Sequence, residues 1–169
     1  MVHNLPIDPT LPRAARLQHL LSPLEGLLTG ESSGVANLAN LAAAIWSATG
    51  WHWVGFYLVD KGADNLVLGP FQGPVACTRL HRGKGVCAAA WEAKATQVVP
   101  DVHAFPGHVG CSSASLSEVV LPICSPDGEV VAVLDIDSAS ANDFAPEELA
   151  SLEALVALVE RVWPTWSWS

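Results

Sequence analysis

Apolar positions along the chain change period several times, and the changes mark out its elements. Leucines at 17, 20, 21, 24, 27 and 28 recur at helical spacing, so Leu11 to Leu28 reads as a helix. Pro23 lies inside it and is expected to kink it or to start a second short helix. Ser32 or Ser33 can cap the next helix, which carries Val35, Leu38, Leu41, Ala42 and Ile45 and stops at Gly50. His52 to Asp60 then alternates with period two and is rich in aromatics, which predicts a strand. Val54, Phe56 and Leu58 point to one face, and Trp53, Gly55, Tyr57 and Val59 to the other. Lys61 to Asn65 is a turn, and Leu66 to Leu68 starts the returning strand. Further strands are expected around Val75 to Leu80, with Cys77 on or beside the sheet, and at Thr96 to Val99. Between them, Gly83 and Gly85 lead into a short helix from Val86 to Ala93. Ser117 to Cys124 and Glu129 to Ser138 are strands joined by the hairpin turn Ser125-Pro126-Asp127-Gly128. Pro146, Glu147 and Glu148 open a closing helix despite the poor cap at Ala145, and Pro164 ends it. Its buried stripe is Leu149, Leu152, Leu155, Val156 and Val159. The order predicts an α+β fold, a central antiparallel sheet with N- and C-terminal helices packed on it. One domain is expected over 1–169: a core of about 33–162, a helical extension at 11–29 and a tryptophan-rich tail at 163–169.

Charge narrows the partners. Among 169 residues, 17 acids stand against 8 Lys plus Arg, a net charge of −9. Such a chain lacks the basic face that a nucleic-acid binder needs to displace counterions. It suits a pocket for a cationic group. No apolar run is long enough for a membrane span, and the first twenty residues have no leader-like apolar segment. Four cysteines in that context read as reduced thiols, and the expected compartment is cytoplasmic.

Three of those cysteines fall between Gly69 and Cys111, a stretch broken up by glycines. Cys77 and Cys87 are ten residues apart, and Cys111 follows 24 later. These intervals lack the close pairs of structural zinc sites, so no metal is assigned to Cys77, Cys87, Cys111 with His103 or His108. A thiol relay fits better. One thiolate attacks a sulfoxide or disulfide sulfur and a second thiol resolves the oxidised cysteine. Cys111 follows His103 and His108 in a long loop, Asp101 to Ser115, where a nearby imidazolium would lower a thiol pKa. It is the better nucleophile candidate, with Cys77 or Cys87 as resolving thiol. Small buried hydrophobes are the alternative for all three, and spacing does not choose.

Acids come next. Asp135 and Asp137 are two apart on one strand and share a face with Val133 and Val131, while Glu118 begins the neighbouring strand. Three such carboxyls at the mouth of an apolar pocket would bind an ammonium group, and their repulsion would keep one protonated. As solvated strand ends they would do nothing. Trp53 and Tyr57 share a strand face and could wall a pocket for a methyl group, or be core aromatics. Gly83-Lys84-Gly85 lacks the full phosphate-loop pattern, so no nucleotide is assigned.

WVGFYL (Trp53 to Leu58), GPFQGPVACTR (Gly69 to Arg79), GKGVC (Gly83 to Cys87), TQVVPDVHAFPGHVGC (Thr96 to Cys111), SEVVLPI (Ser117 to Ile123) and VLDIDS (Val133 to Ser138) together resemble the free methionine-(R)-sulfoxide reductases. These are single GAF-domain enzymes, and the resemblance covers about Val35 to Arg161. It implies a GAF-like fold, a homodimer formed through the helices, and no cofactor. It also implies reduction of free L-methionine (R)-S-oxide to methionine, with thioredoxin as reductant. Carried over, Cys111 matches the attacking cysteine, Cys77 the usual resolving partner and Cys87 a second cysteine able to pair. Glu118, Asp135 and Asp137 match the acids that hold the ammonium and assist at the sulfoxide. Trp53 and Tyr57 match the aromatic wall. Cys124 lies outside that pattern and is expected to be inert. The competing class is a GAF small-ligand or redox sensor without turnover.

Overall fold

The computed structural model describes residues 5, 7–108, 110 and 113–168. Its sheet has six strands: β1 (Trp53–Asp60), β2 (Asn65–Gln72), β3 (Arg79–His81), β4 (Gln97–Val99), β5 (Ser117–Cys124) and β6 (Val130–Ser138). They lie in the order β3-β2-β1-β6-β5-β4, with every neighbouring pair antiparallel. Helices α1 (Arg13–Gly30), α2 (Gly34–Thr49) and α4 (Pro146–Val162) form one layer, and α3 (Gly85–Ala93) crosses the opposite face.

Strand alternation divides the core in two. Val54, Phe56, Val119, Leu121, Ile123, Ala132, Leu134 and Ile136 meet the three-helix layer. Trp53, Tyr57, Val120 and Val133 meet α3 through Val86, Cys87, Ala90 and Trp91. A bulge between Ile123 and Cys124 alters one expected position. Cys124 pairs with Val130 while Ile123 pairs with Ala132, so Val131 is the extra residue. It packs with the helical-layer cluster, and Val130 takes its place on the α3 side.

Pro23 neither breaks α1 nor divides it. Leu17, Leu20, Leu24 and Leu28 are all fully buried on both sides of the proline. Each contributes about 1.5–3 kcal/mol on burial, which together outweigh the ~3 kcal/mol an interior proline costs. Ser33 caps α2 by accepting from the Ala36 amide, and Gly50 ends it in the left-handed conformation. At α4 the weak cap is compensated from within the helix: the Ala145 amide donates to Glu148 Oε2 at 2.9 Å. Glu148 also accepts from Arg13 Nε at 2.6 Å, and Arg13 reaches Asp143 at 2.8 Å, which ties the starts of α1 and α4 together.

α4 ends at Val162, and Pro164 sits in the 3-10 turn that follows. Trp166 donates to the Leu28 carbonyl at 3.2 Å, while Ser167 bridges to Ser33 and Trp168 lies against Gly34. The tail therefore docks on the body across the start of α2. The strand expected over Val75 to Leu80 shrinks to β3: ahead of it, the Pro74 and Cys77 carbonyls accept from the Trp53 and Tyr57 side chains, not from a neighbouring strand. Cys77 consequently precedes the strand and lies beside the sheet.

Candidate active site

Cross-strand pairing assembles a cleft on the α3 face. Trp53 pairs with Asp137, Gly55 with Asp135 and Tyr57 with Val133 across β1 and β6. Glu118 pairs with Asp137, and Val120 with Asp135, across β5 and β6. Residues directly opposite on neighbouring strands share a face, so one register puts two aromatics and three acids side by side.

Gly55 is required there. A Cβ at this position would collide with Phe71 Cβ and with the Trp53 ring. The space it leaves lets the indole lie between Phe71, 5.3 Å away by ring centroids, and Tyr57, at 6.0 Å. Trp53 Nε1 donates to the Pro74 carbonyl at 3.1 Å, and the Tyr57 hydroxyl donates to the Cys77 carbonyl at 2.9 Å. These two bonds hold the segment leading to Cys77 against the cleft. Gly73, at φ +126°, allows the close turn: a Cβ there would lie 2.7 Å from the Trp53 ring and 2.8 Å from the His52 carbonyl.

The acids are inside the protein. Glu118 and Asp135 are each 6% exposed, and Cys87, in the first turn of α3, is 4% exposed. The Cys87 sulfur and one carboxylate oxygen from each acid all lie within 4.8 Å of one another. Both the Cys87 thiol and the Glu118 carboxyl hold their protons toward Asp135. The other Asp135 oxygen, Oδ1, has no hydrogen-bond partner among the described residues.

Burial, and then mutual repulsion, pushes Glu118 and Asp135 well above the carboxylate range. Asp137 is pushed up to about 6 by burial, against the pull of the Ser115 hydroxyl. Burial and the neighbouring carboxylates raise the Cys87 thiol too, so it is a poor nucleophile. Tyr57 is raised by burial and then by Asp135. His108 is pushed down by burial and by His103 nearby.

Lys84, Gly85 and Val86 at the start of α3, with His108 and Ser115, complete the lining. The cleft holds about 40 Å³ that the centre of a water-sized sphere can reach, and widens into open solvent at its mouth. Lys84 forms no ion pair among the described residues, leaving one cation facing three acids.

Six of the eight expected site residues line this cleft: Trp53, Tyr57, Cys87, Glu118, Asp135 and Asp137. Cys77 is held at its edge through Tyr57 and is half of a disulfide, whereas Cys87 and Cys124 are free thiols. Cys111 lies outside the described residues. Cys124 is remote, at the end of β5, where its amide donates to Glu160 Oε1 at 2.7 Å. Burial and Glu160 raise its thiol as well. Lys84 and Ser115 had no expected role. For Lys84 the signal was its place in Gly83-Lys84-Gly85 ahead of a helix, a motif weighed only for phosphate.

The description GAF domain fits residues 35–163 as a family. The chain is 49% identical to GAF domain-containing protein A of Dictyostelium discoideum, over 85% of this chain and 89% of that one. It is 42% identical to free methionine-R-sulfoxide reductase of Saccharomyces cerevisiae, over 86% and 84% of the two chains. The crystal structure of free methionine-R-sulfoxide reductase from Neisseria meningitidis in complex with its substrate superposes with a TM-score of 0.92, at 44% identity over 97% of both chains. The chain belongs to the GAF-domain family and, within it, to the free methionine-R-sulfoxide reductases.

Proposed function

We propose that the protein reduces free L-methionine (R)-S-oxide to L-methionine through Cys111 and Cys77, with thioredoxin as the regenerating reductant. The observation that carries this reading is the triad of buried Glu118 and Asp135 with half-buried Asp137, beside the stacked Trp53 and Tyr57. Three carboxyls that repel one another in the cleft are relieved by an ammonium group. The aromatic pair takes the apolar end of the same small molecule. A protein-bound methionine has no α-ammonium to offer, so the triad selects the free amino acid.

The Cys111 thiol takes the sulfoxide oxygen and becomes sulfenic acid, and methionine leaves as the thioether. The Glu118 carboxyl, whose hold on its proton is strengthened by burial and by Asp135 and Asp137, supplies that proton to the sulfoxide oxygen as the sulfur is attacked. The Cys77 thiol then attacks the sulfenic sulfur, forming a disulfide and releasing water. Thioredoxin dithiol returns both thiols and is itself oxidised. Cys87 is a second thiol in reach of this chemistry. Its raised pKa and its bond to Asp135 favour Cys77 for the resolving step.

Two surface features support the partners. Val75, two residues before Cys77, is 89% exposed, so a protein reductant has access to that segment. On α2, Val35 and Trp46 are exposed, and exposed Trp168 lies against Gly34 at the helix start, apolar positions suited to pairing two copies through the helical layer. Among the described residues no helix is long and apolar enough to cross a membrane.

The test is NADPH consumption with thioredoxin and thioredoxin reductase, offering each sulfoxide diastereomer free and peptide-bound. Turnover is expected for the free (R) form alone, and Cys111→Ser should abolish it. Absence of turnover with the free (R) form would refute the assignment.

A further inference from the structure

The substrate cleft also contains a donor set of a different kind. Cys87 Sγ, a Glu118 oxygen and an Asp135 oxygen converge within 4.8 Å, all from side chains at least nine-tenths buried. One Asp135 oxygen has no hydrogen-bond donor among the described residues and faces the cleft. We propose that the cleft is also a zinc site, with Cys87, Glu118 and Asp135 as ligands, and that zinc there competes with the substrate's ammonium group.

The donor set defines the ion. One thiolate with two carboxylates favours zinc over magnesium or calcium, which prefer oxygen alone. Zinc holds sulfur at about 2.3 Å and carboxylate oxygen at about 2.0–2.2 Å, which puts tetrahedral ligand atoms roughly 3.5 Å apart. Three atoms already within 4.8 Å of one another lie within about 1.3 Å of that spacing. The fourth position opens into the cleft, where water completes the tetrahedron.

Binding releases the Cys87 proton and the Glu118 proton to solvent, and the dication replaces them. Asp137 adds a further negative charge beside the ion, while Lys84 and His108 also line the cleft. The ligand set shares Glu118 and Asp135 with the reaction proposed above but uses neither of its two reacting cysteines. It uses the cleft's buried thiol and leaves the Cys77 disulfide out of the coordination sphere. The competition half of the proposal rests on the ammonium reading of the triad; the metal-binding half does not.

Cobalt(II), a spectroscopic stand-in for zinc, tests both halves. It is titrated into protein with the Cys77 disulfide intact, so that the described free thiols are Cys87 and Cys124. The expected result is a near-ultraviolet thiolate-to-cobalt charge-transfer band saturating at one ion per chain, with the intense visible absorption of a four-coordinate ion. Zinc should bleach the band, and excess magnesium should not. Cys124→Ala should keep it. Cys87→Ala should remove it and weaken zinc binding by more than about 100-fold, since even outer-sphere partners are worth 10–100-fold. Cys87→Ser, checked for an unchanged melting profile, guards against misfolding.

A band that persists in both Cys87 variants, or no band at all, overturns the site. L-methionine should raise the apparent cobalt dissociation constant in proportion to its concentration. If cobalt binds and methionine does not compete, the exclusion is wrong while the site stands. If cobalt binds but free (R)-sulfoxide is not turned over, the proposed reaction fails and the metal site remains.

Discussion

Glu118 and Asp137 are direct partners across β5 and β6, and both carboxyls face the same cleft with Asp135 beside them. Asp137 is held near 6, compared with its ordinary 3.8, so the folded state keeps a proton that the unfolded chain releases. Its contribution to stability is therefore complete below 3.8 and is lost as pH rises through about 6. Asp143, lowered beside Arg13, acts in the opposite sense, and its contribution is lost only on acidification below its ordinary range. In thermal unfolding, the wild-type melting temperature should fall more between about pH 5 and about pH 7 than that of Asp137→Asn. L-methionine should recover more stability at the higher pH, where the triad is most charged. Equal slopes for the two proteins would remove Asp137 from the acid cluster.

Gly55 makes a steric prediction. Because a Cβ there meets Phe71 and the Trp53 ring, Gly55→Ala should displace the indole toward the acids. Overpacking of this kind costs about 1–3 kcal/mol, to be read from the urea midpoint at unchanged slope. The same displacement should raise KM for the free sulfoxide. A control at Gly26, where a Cβ meets nothing, should leave KM as it is.

Tyr57 links the aromatic pair to the segment that carries Cys77. Its hydroxyl donates to the Cys77 carbonyl at 2.9 Å, while its ring stacks on Trp53. Tyr57→Phe keeps the ring and deletes the bond, a loss of about 1 kcal/mol. Under the proposed chemistry, methionine release in a single turnover should be nearly unchanged, while disulfide formation at Cys77 slows. Rapid-quench measurement of methionine against free thiol separates the two steps. Equal slowing of both would mean that the hydroxyl serves the substrate.

Much of this arrangement was legible from period-two alternation. It put Trp53 and Tyr57 on one face of a strand, and Asp135 and Asp137 on one face of another. The hairpin turn and the leucine stripes gave the sheet's last two strands and the helical layer. What alternation alone left open was which strands become neighbours, and so whether the acids would be solvated ends or a buried group. That depends on β1 pairing with β6, a contact between segments some 80 residues apart in sequence. The bulge that moves Val131 has no glycine to mark it. Pro23 does not split α1 into two helices: its local cost is visible in the sequence, whereas the burial that outweighs it comes from the packed layer. Lys84 was passed over because its motif was weighed against phosphate binding alone.

The division of labour among the thiols gives a stoichiometric test. Cys87 is 4% exposed, bonded to Asp135 and raised by burial and by the three acids Asp135, Glu118 and Asp137. A thiol in that state is a slow nucleophile. Cys77 sits in the half-buried segment held by Tyr57, beside exposed Val75. With no reductant added, pre-reduced wild type should form about one equivalent of methionine and lose two thiols, as the proposed cycle requires. Cys77→Ser should still form that equivalent but stop at sulfenic acid, trapped by dimedone and seen as a mass adduct on Cys111. Its thioredoxin-supported turnover should drop to background. Cys87→Ser should form the disulfide and keep cycling. Should Cys77→Ser cycle with thioredoxin while Cys87→Ser accumulates the dimedone adduct, the resolving role belongs to Cys87, and the hydrogen bond to Asp135 is then where its proton goes.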